Sequence, residues 1–264
     1  MKYLTLFKTI AAYNAATLYL PNVALIEENM SVSYKPYVKP ETKVVCKYNV
    51  TDTSSPTPLR TNYESNIFKS MEIDGVMLVE LVTEHTFGAV GVHTVKYELC
   101  DETKLGNNAP MFYNSNLIEC IIPDSVISID TNTFNGCTGL TSVTIGNGVT
   151  SIGVNAFVGC IGLTSVTIPN SVTSIGDGAF TGCTGLTSVT IGNGVTSIGN
   201  SAFDGCTGLT SIVSNAITAP TIKSNTFTNI KSNGTLIVPS GSTGYDIWMV
   251  NSYLGQYSWT KVEQ

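Results

Sequence analysis

Residues 138–160 and 184–206 of this chain are the same 23-residue string with three changes, Val154/Asn200, Asn155/Ser201 and Val158/Asp204. A third, looser copy lies between them at the same period. A fixed period of this length specifies a stack of like units, none of which buries its apolar face alone. It also argues against catalysis, which needs several different groups converging on one point.

The period can be followed in columns. Leu117, Leu140, Leu163, Leu186 and Leu209 mark five rungs. Val126, Val149, Val172 and Val195 keep the interval, as do Phe134, Phe157, Phe180 and Phe203. In LTSVTI the alternation sends Leu140, Val143 and Ile145 inward and Ser142 and Thr144 outward. A turn pair follows each strand, at Pro123-Asp124, Gly146-Asn147, Pro169-Asn170 and Gly192-Asn193. A second short strand, VTSI, comes next, and an A-F-x-G-C segment closes the coil. Burying each Phe stabilises by roughly 1.5–3 kcal/mol. At about 4.8 Å between strands, five rungs make a rod about 24 Å long.

Two columns are candidates for chemistry. Ser142/Thr144, Ser165/Thr167 and Ser188/Thr190 form S-x-T rungs, an exposed hydroxyl ladder suited to ordering water or binding a polysaccharide. The plainer reading is that Thr is a good exposed strand residue. Cys137, Cys160, Cys183 and Cys206 fall at one repeat position. Without CxxC-type spacing they read as a column of small buried hydrophobes rather than a metal site. Cys46, Cys100 and Cys120 are scattered and take no role from the sequence. No metal or other cofactor is expected.

Charged residues are only 12% of the chain, about half the usual ~25%, and the formal net charge is -6. From Leu105 to Ile222 there is no Lys, Arg or His. Such a surface cannot neutralise phosphates, so nucleic acid is excluded as a partner of the repeats. No GxSxG, HExxH or P-loop motif occurs in a suitable context, and the acidic residues of the rungs do not recur as a pair. The chain is therefore not expected to be an enzyme.

The flanks differ from the repeats. In residues 1–40, FKTIAAYNAATL suits a short helix, and NVALI and SVSYKPY read as a hairpin. Too little apolar surface is present there for a free-standing domain, which favours docking on a partner or a sister chain. The uncharged run 9–26 has the composition of a signal peptide, but Lys8, Asn14, Pro21 and Asn22 resist that reading, and membrane insertion is not expected. Residues 41–104 are β-like: KVVCKYNV, MEIDGVMLVEL with a turn at Asp74-Gly75, and VGVHTVKYEL predict a small sandwich-like unit. His85 and His93 read as ordinary sheet or loop residues. The repeats occupy 105–230. Residues 231–264 read as a cap, in which Tyr245, Trp248, Tyr253, Tyr257 and Trp259 seal the last rung. An aromatic group of this kind also suits a sugar platform, and the open end of a solenoid favours the cap.

The repeat SVTIPNSVTSIGDGAFTGCTGLT (165–187) resembles the BspA-like, or Treponema-type, leucine-rich repeat. The resemblance implies a leucine-rich-repeat solenoid, and with the flanks read above the expected fold is mainly β: a solenoid of about five 23-residue rungs, preceded by a small β-sandwich-like unit and an N-terminal helix–hairpin leader. It implies surface proteins of adhesion and brings no catalytic residues. The leader, FKTIAAYNAA (7–16) with LPNVALIEEN (20–29) and VSYKP (32–36), is similar to N-terminal segments of virion proteins in crAss-like and related phages of gut Bacteroidales. Together these imply a virion appendage protein that docks through residues 1–40 and displays the rod to a host surface protein or glycan. Homo-oligomerisation is expected with it. The alternative is a secreted or surface adhesin of a gut bacterium.

Overall fold

The computed structural model describes residues 42–60, 67–100, 103–106, 111–112, 116–223 and 225–264, which belong to one compact unit spanning residues 40–264. The expected helix and hairpin of residues 1–40 lie outside the described residues.

Alternating apolar residues in 43–99 build an antiparallel sheet. Its strands are β1 (Lys43–Val50), β3 (Phe68–Ile73), β4 (Val76–Met77) and β6 (Gly91–Leu99), with β2 (Thr57–Pro58) and β5 (Glu84–His85) as a separate two-stranded ribbon. Every second residue of β1 is buried, and Val95, Tyr97 and Leu99 are the inward face of β6. The predicted turn is present, with Asp74 (φ 48) and Gly75 (φ 85) both left-handed between β3 and β4. The sequence reading separates residues 41–104 from the repeats, yet hydrogen bonding runs across that boundary. β1 pairs antiparallel with the first repeat strand, so one six-stranded sheet carries the flank and the start of the stack.

The repeats then coil. Strands alternate between two columns: β7 (Lys104–Leu105), β8 (Leu117–Ile121), β9 (Ser128–Ile129), β10 (Ser142–Thr144), β11 (Ser151–Ile152), β12 (Ser165–Ile168), β13 (Ser174–Ile175), β14 (Ser188–Ile191), β15 (Ser197–Ile198) and β16 (Ser211–Ser214). β17 (Thr235–Val238) and β18 (Thr260–Glu263) extend the longer-strand column in parallel. Among the described residues the stack thus carries seven turns on that face (β8, β10, β12, β14, β16, β17, β18), two beyond the five the leucines mark. The extra two come from the segment read as a cap, where the period lapses but inward Leu236 and Val238 still fill the column.

The expected columns are inside. Leu117, Leu140, Leu163, Leu186 and Leu209 are fully buried, as are Phe134, Phe157, Phe180 and Phe203. The phenylalanines stack ring on ring from Phe112 to Phe227, with centroids 5.0 to 5.7 Å apart. Phe68 and Tyr97 meet Phe112 at one end, and Trp248 meets Phe227 at 5.3 Å at the other. Both ends of the aromatic stack are therefore covered by side chains from outside the repeats.

Tyr245, Trp248 and Trp259 are buried at this end with their polar atoms satisfied. Tyr245 Oη donates to the Ala216 carbonyl at 2.9 Å, Trp248 Nε1 to Pro220 at 3.1 Å and Trp259 Nε1 to Lys231 at 2.8 Å. The last strand carries Lys261 and Glu263, which discourages a further strand from adding to its free edge.

Candidate binding cleft on the strand face

The six predicted ladder residues all stand on the outer face of the long-strand column. Ser142, Thr144, Ser165 and Thr167 are exposed, while Ser188 and Thr190 are half-buried. Ser165 lies opposite Ser188 and Thr167 opposite Thr190 in the parallel register of β12 and β14. The ladder is not continuous, however. β10 belongs to the sheet of β8 and β1, and β12 begins a separate sheet.

Two kinds of hydrogen bond repeat along the stack and skip this one junction, and a third, which clasps rungs one and two and rungs three and four, is missing here as well. First, the strand ladder joins β8 to β10 and β12 to β14. Second, Thr141 donates its N–H and Oγ1 to the Ile118 carbonyl, and Thr187 and Thr210 do the same to Thr164 and Thr187. Third, Asn147 N–H donates to Asp124 Oδ1 at 2.7 Å and Asn193 N–H to Asn170 Oδ1 at 3.0 Å. Among the described residues, Thr164 makes neither bond to Thr141, and Asn170 N–H makes none to Asn147. The other side of the coil stays shut, with Thr173 N–H bonded to Thr150 O at 2.8 Å and Gly176 N–H to Ile152 O at 2.8 Å.

The turn residues explain the opening. In rungs two and four the turn is Gly-Asn-Gly, and these glycines lie against the rung before them. A Cβ on Gly146 would stand 2.5 Å from the Pro123 carbonyl, and one on Gly192 2.5 Å from that of Pro169. In rung three the same places hold Pro169 and Ser171. Pro169 also lacks the amide with which its fifth-rung counterpart, Asn215, donates to Ile191 O at 2.9 Å. A proline on top of a glycine turn therefore cannot settle as a glycine on top of a proline turn does.

The result is an open cleft of about 500 Å³ between β10 and β12. Its walls are Ser142, Thr144, Ser165, Thr167 and Thr190, with Asn147, Asn170 and Asn215 at the turn end and Val143, Ile145 and Ile168 as the floor. Five of the six predicted residues line it, and Ser188 does not. The asparagines were not expected there, although the turn pairs that place Asn147 and Asn170 were visible in the sequence. Among the described residues, none that lines the cleft is ionisable. Hydroxyls, amides and the unpaired edges of two strands above a small apolar floor can bind a neutral, hydrogen-bonding ligand in an extended pose.

The other candidate chemistry is structural. The cysteine column is buried, and Cys160, Cys183 and Cys206 donate their Sγ to the carbonyls of Phe134, Phe157 and Phe180 at 3.1 to 3.2 Å. Burial pushes the Cys183 thiol up to about 12 and raises those of Cys160 and Cys206. Among the described residues, no group of three or more His, Cys, Asp or Glu is placed to hold a metal ion. His93 is tied to the Asp74 turn, Nδ1 to Oδ2 at 2.6 Å and Nε2 to the Ala89 carbonyl at 2.9 Å.

A family model described as BspA type leucine rich repeat region matches residues 103–242 in six copies. None of the curated proteins matches the chain. Among solved structures, a leucine-rich repeat protein of T. pallidum is 23% identical with a TM-score of 0.42, the match covering 60% of this chain and 78% of that one. A leucine-rich repeat protein of Bacteroides ovatus is 25% identical with a TM-score of 0.38, covering 56% and 49%. A leucine rich cell surface protein of Faecalibacterium prausnitzii is 22% identical with a TM-score of 0.28, covering 64% and 65%. The match thus spans about half the length of the Bacteroides ovatus protein.

Proposed function

The chain belongs to the BspA-type leucine-rich repeat family, and from that premise we propose that it is an extracellular display scaffold of the adhesin type whose strand-face cleft takes a neutral glycan. The uncharged cleft between β10 and β12 carries this reading. A sugar presents hydroxyls to donors and acceptors and C–H faces to apolar patches, and this lining offers both. The absence of any cation from Leu105 to Ile222 disfavours sulfated or sialylated chains and nucleic acid alike. The role is one of binding rather than catalysis, and the matched family is a repeat region.

Binding to an array of neutral polysaccharides tests the reading, with Pro169→Gly/Ser171→Gly as the variant that makes the third turn identical to its neighbours. Wild type should bind and the variant should lose about tenfold or more in affinity, the weight of one or two hydrogen bonds. Equal binding by a folded variant removes the cleft from the proposal.

A second reading, the virion appendage, rests on the resemblance of residues 7–36 to phage virion proteins. In that reading residues 1–40 dock on the particle or pair with sister chains, and the rod faces a host surface protein or glycan. Mass spectrometry of purified particles separates the two settings: the chain is present in virions in one and absent in the other.

A further inference from the structure

Two cysteines outside the repeat column, Cys46 of β1 and Cys120 of β8, stand directly opposite each other across an antiparallel strand pair. They are 74 residues apart in sequence, their Sγ atoms are 3.5 Å apart, and both are fully buried. Directly opposed residues in such a pair hold their Cβ atoms about 4.5–5.5 Å apart. A disulfide asks for about 3.5–4.5 Å between Cβ atoms, so side-chain rotation and a small approach of the strands close the gap. The register around them is held by Val45 opposite Ile121 and by Lys47 Nζ on Glu119 Oε2 at 2.8 Å. The column cysteines are different, since each spends its Sγ on a phenylalanine carbonyl, and Cys100 is exposed.

We propose that Cys46 and Cys120 form a disulfide that staples the flanking sheet to the first rung when the chain folds in an oxidising compartment. The oxidant is a disulfide donor, either a small-molecule disulfide such as oxidised glutathione or a dithiol–disulfide oxidase. One cysteine thiolate attacks the donor, releasing one donor thiol and leaving a mixed disulfide. The second cysteine displaces the remaining donor thiol. The two cysteines lose two protons and two electrons, and the donor disulfide becomes two thiols. Burial, then the hydrogen bond and charge of Cys120, keep the Cys46 thiol protonated once the sheet is closed, so exchange runs while β8 docks on β1. The bond closes a long loop where β1 of the flank pairs with β8 of the stack.

The test refolds the full chain once in a glutathione redox mixture and once in dithiothreitol. Each sample is then alkylated with iodoacetamide in denaturant and digested with pepsin, because residues 105–222 hold no Lys or Arg for trypsin. The oxidised sample should give Cys46 and Cys120 peptides linked and about 2 Da lighter than their reduced sum. Its Tm should lie about 5–10 °C above that of the reduced sample. Cys46→Ser/Cys120→Ser should melt at one temperature in both conditions. Alkylation of all seven cysteines after oxidative refolding, or linkage through another cysteine, overturns the proposal. The wild-type comparison decides it even where the double variant does not fold.

Discussion

Asn193 N–H donates to Asn170 Oδ1 at 3.0 Å, a clasp between rungs three and four that Asn170 N–H does not make to Asn147 between rungs two and three. Pro169→Gly/Ser171→Gly gives the third turn the glycine pair of its neighbours, and the missing bonds should then form. Amide exchange at Thr164 and Asn170 should slow by about tenfold as they gain the carbonyl of Thr141 and the side chain of Asn147. Global stability should move by less than about 1 kcal/mol, because new hydrogen bonds are offset by two more flexible residues and by loss of the bond that Ser171 Oγ donates to the Val149 carbonyl at 2.6 Å. Hydrogen exchange read by NMR checks the first expectation, and a urea titration the second.

Phe157 sits midway in the aromatic stack, 5.0 Å from Phe134 and 5.1 Å from Phe180 with nearly parallel rings. Phe157→Ala removes a fully buried ring whose neighbours are locked in their own rungs, so the void cannot collapse. The cost should be about 3–5 kcal/mol, read as a lower urea midpoint. Phe157→Leu should cost less, since it refills much of the volume and loses mainly ring contact.

The thiols should divide by environment. Cys100 is exposed, whereas Cys137, Cys160, Cys183 and Cys206 are buried in the stack. In reduced native protein near neutral pH, Cys100 should react quickly with a thiol reagent and the column only on unfolding. The sign of the pH effect follows from the raised thiol of Cys183, which reaches about 12 in the folded state. Its protonated form is favoured by folding, so stability is fully present below the unfolded value of about 8.5 and is lost as pH rises toward 12. Each pH unit in that window should cost about 1.4 kcal/mol through Cys183, seen as alkaline unfolding that Cys183→Ser lessens.

The stack was legible in the sequence because its cause is periodic. Leu140, Val149, Phe157 and Cys160 each recur every 23 residues, and burial of a repeated apolar residue has one economical solution, a column. The cleft was half legible. Ser142 and Thr144 were placed by strand alternation, but the opening beside them depends on the order of proline and glycine in successive turns, a relation between rungs rather than within one. Cys46 and Cys120 were not legible at all. Their meeting depends on β1 joining the solenoid sheet, a contact between segments 74 residues apart that share no period. The continuation through β17 and β18 was not legible as further turns, since Leu236 and Val238 fill the column without keeping its spacing.

His93 and Asp74 should set a small acid-side optimum in stability. Partial burial pulls the His93 pKa down, but the hydrogen bonds to Asp74 and Ala89 and the Asp74 charge outweigh it and leave it raised. Partial burial likewise raises Asp74, and the hydrogen bonds from His93 and the Thr94 N–H outweigh it and leave it lowered. A raised histidine stabilises below its unfolded value of about 6.5, and that contribution is lost as pH climbs through the folded value. A lowered aspartate stabilises above its unfolded value of about 3.9, and that contribution is lost as pH falls through the folded value. The pair therefore contributes most between about pH 4 and 6.5. Asp74 is open to solvent, so screening holds the effect to about 0.5 kcal/mol. His93→Gln also loses the ring contact with Phe87 at 4.3 Å, so its absolute stability is uninformative. The informative quantity is the difference in urea midpoint between pH 5.5 and pH 8: wild type should weaken over that interval, and His93→Gln should lose that part of the slope. An equal slope in both proteins would show that the ion pair does not hold the β3–β4 turn.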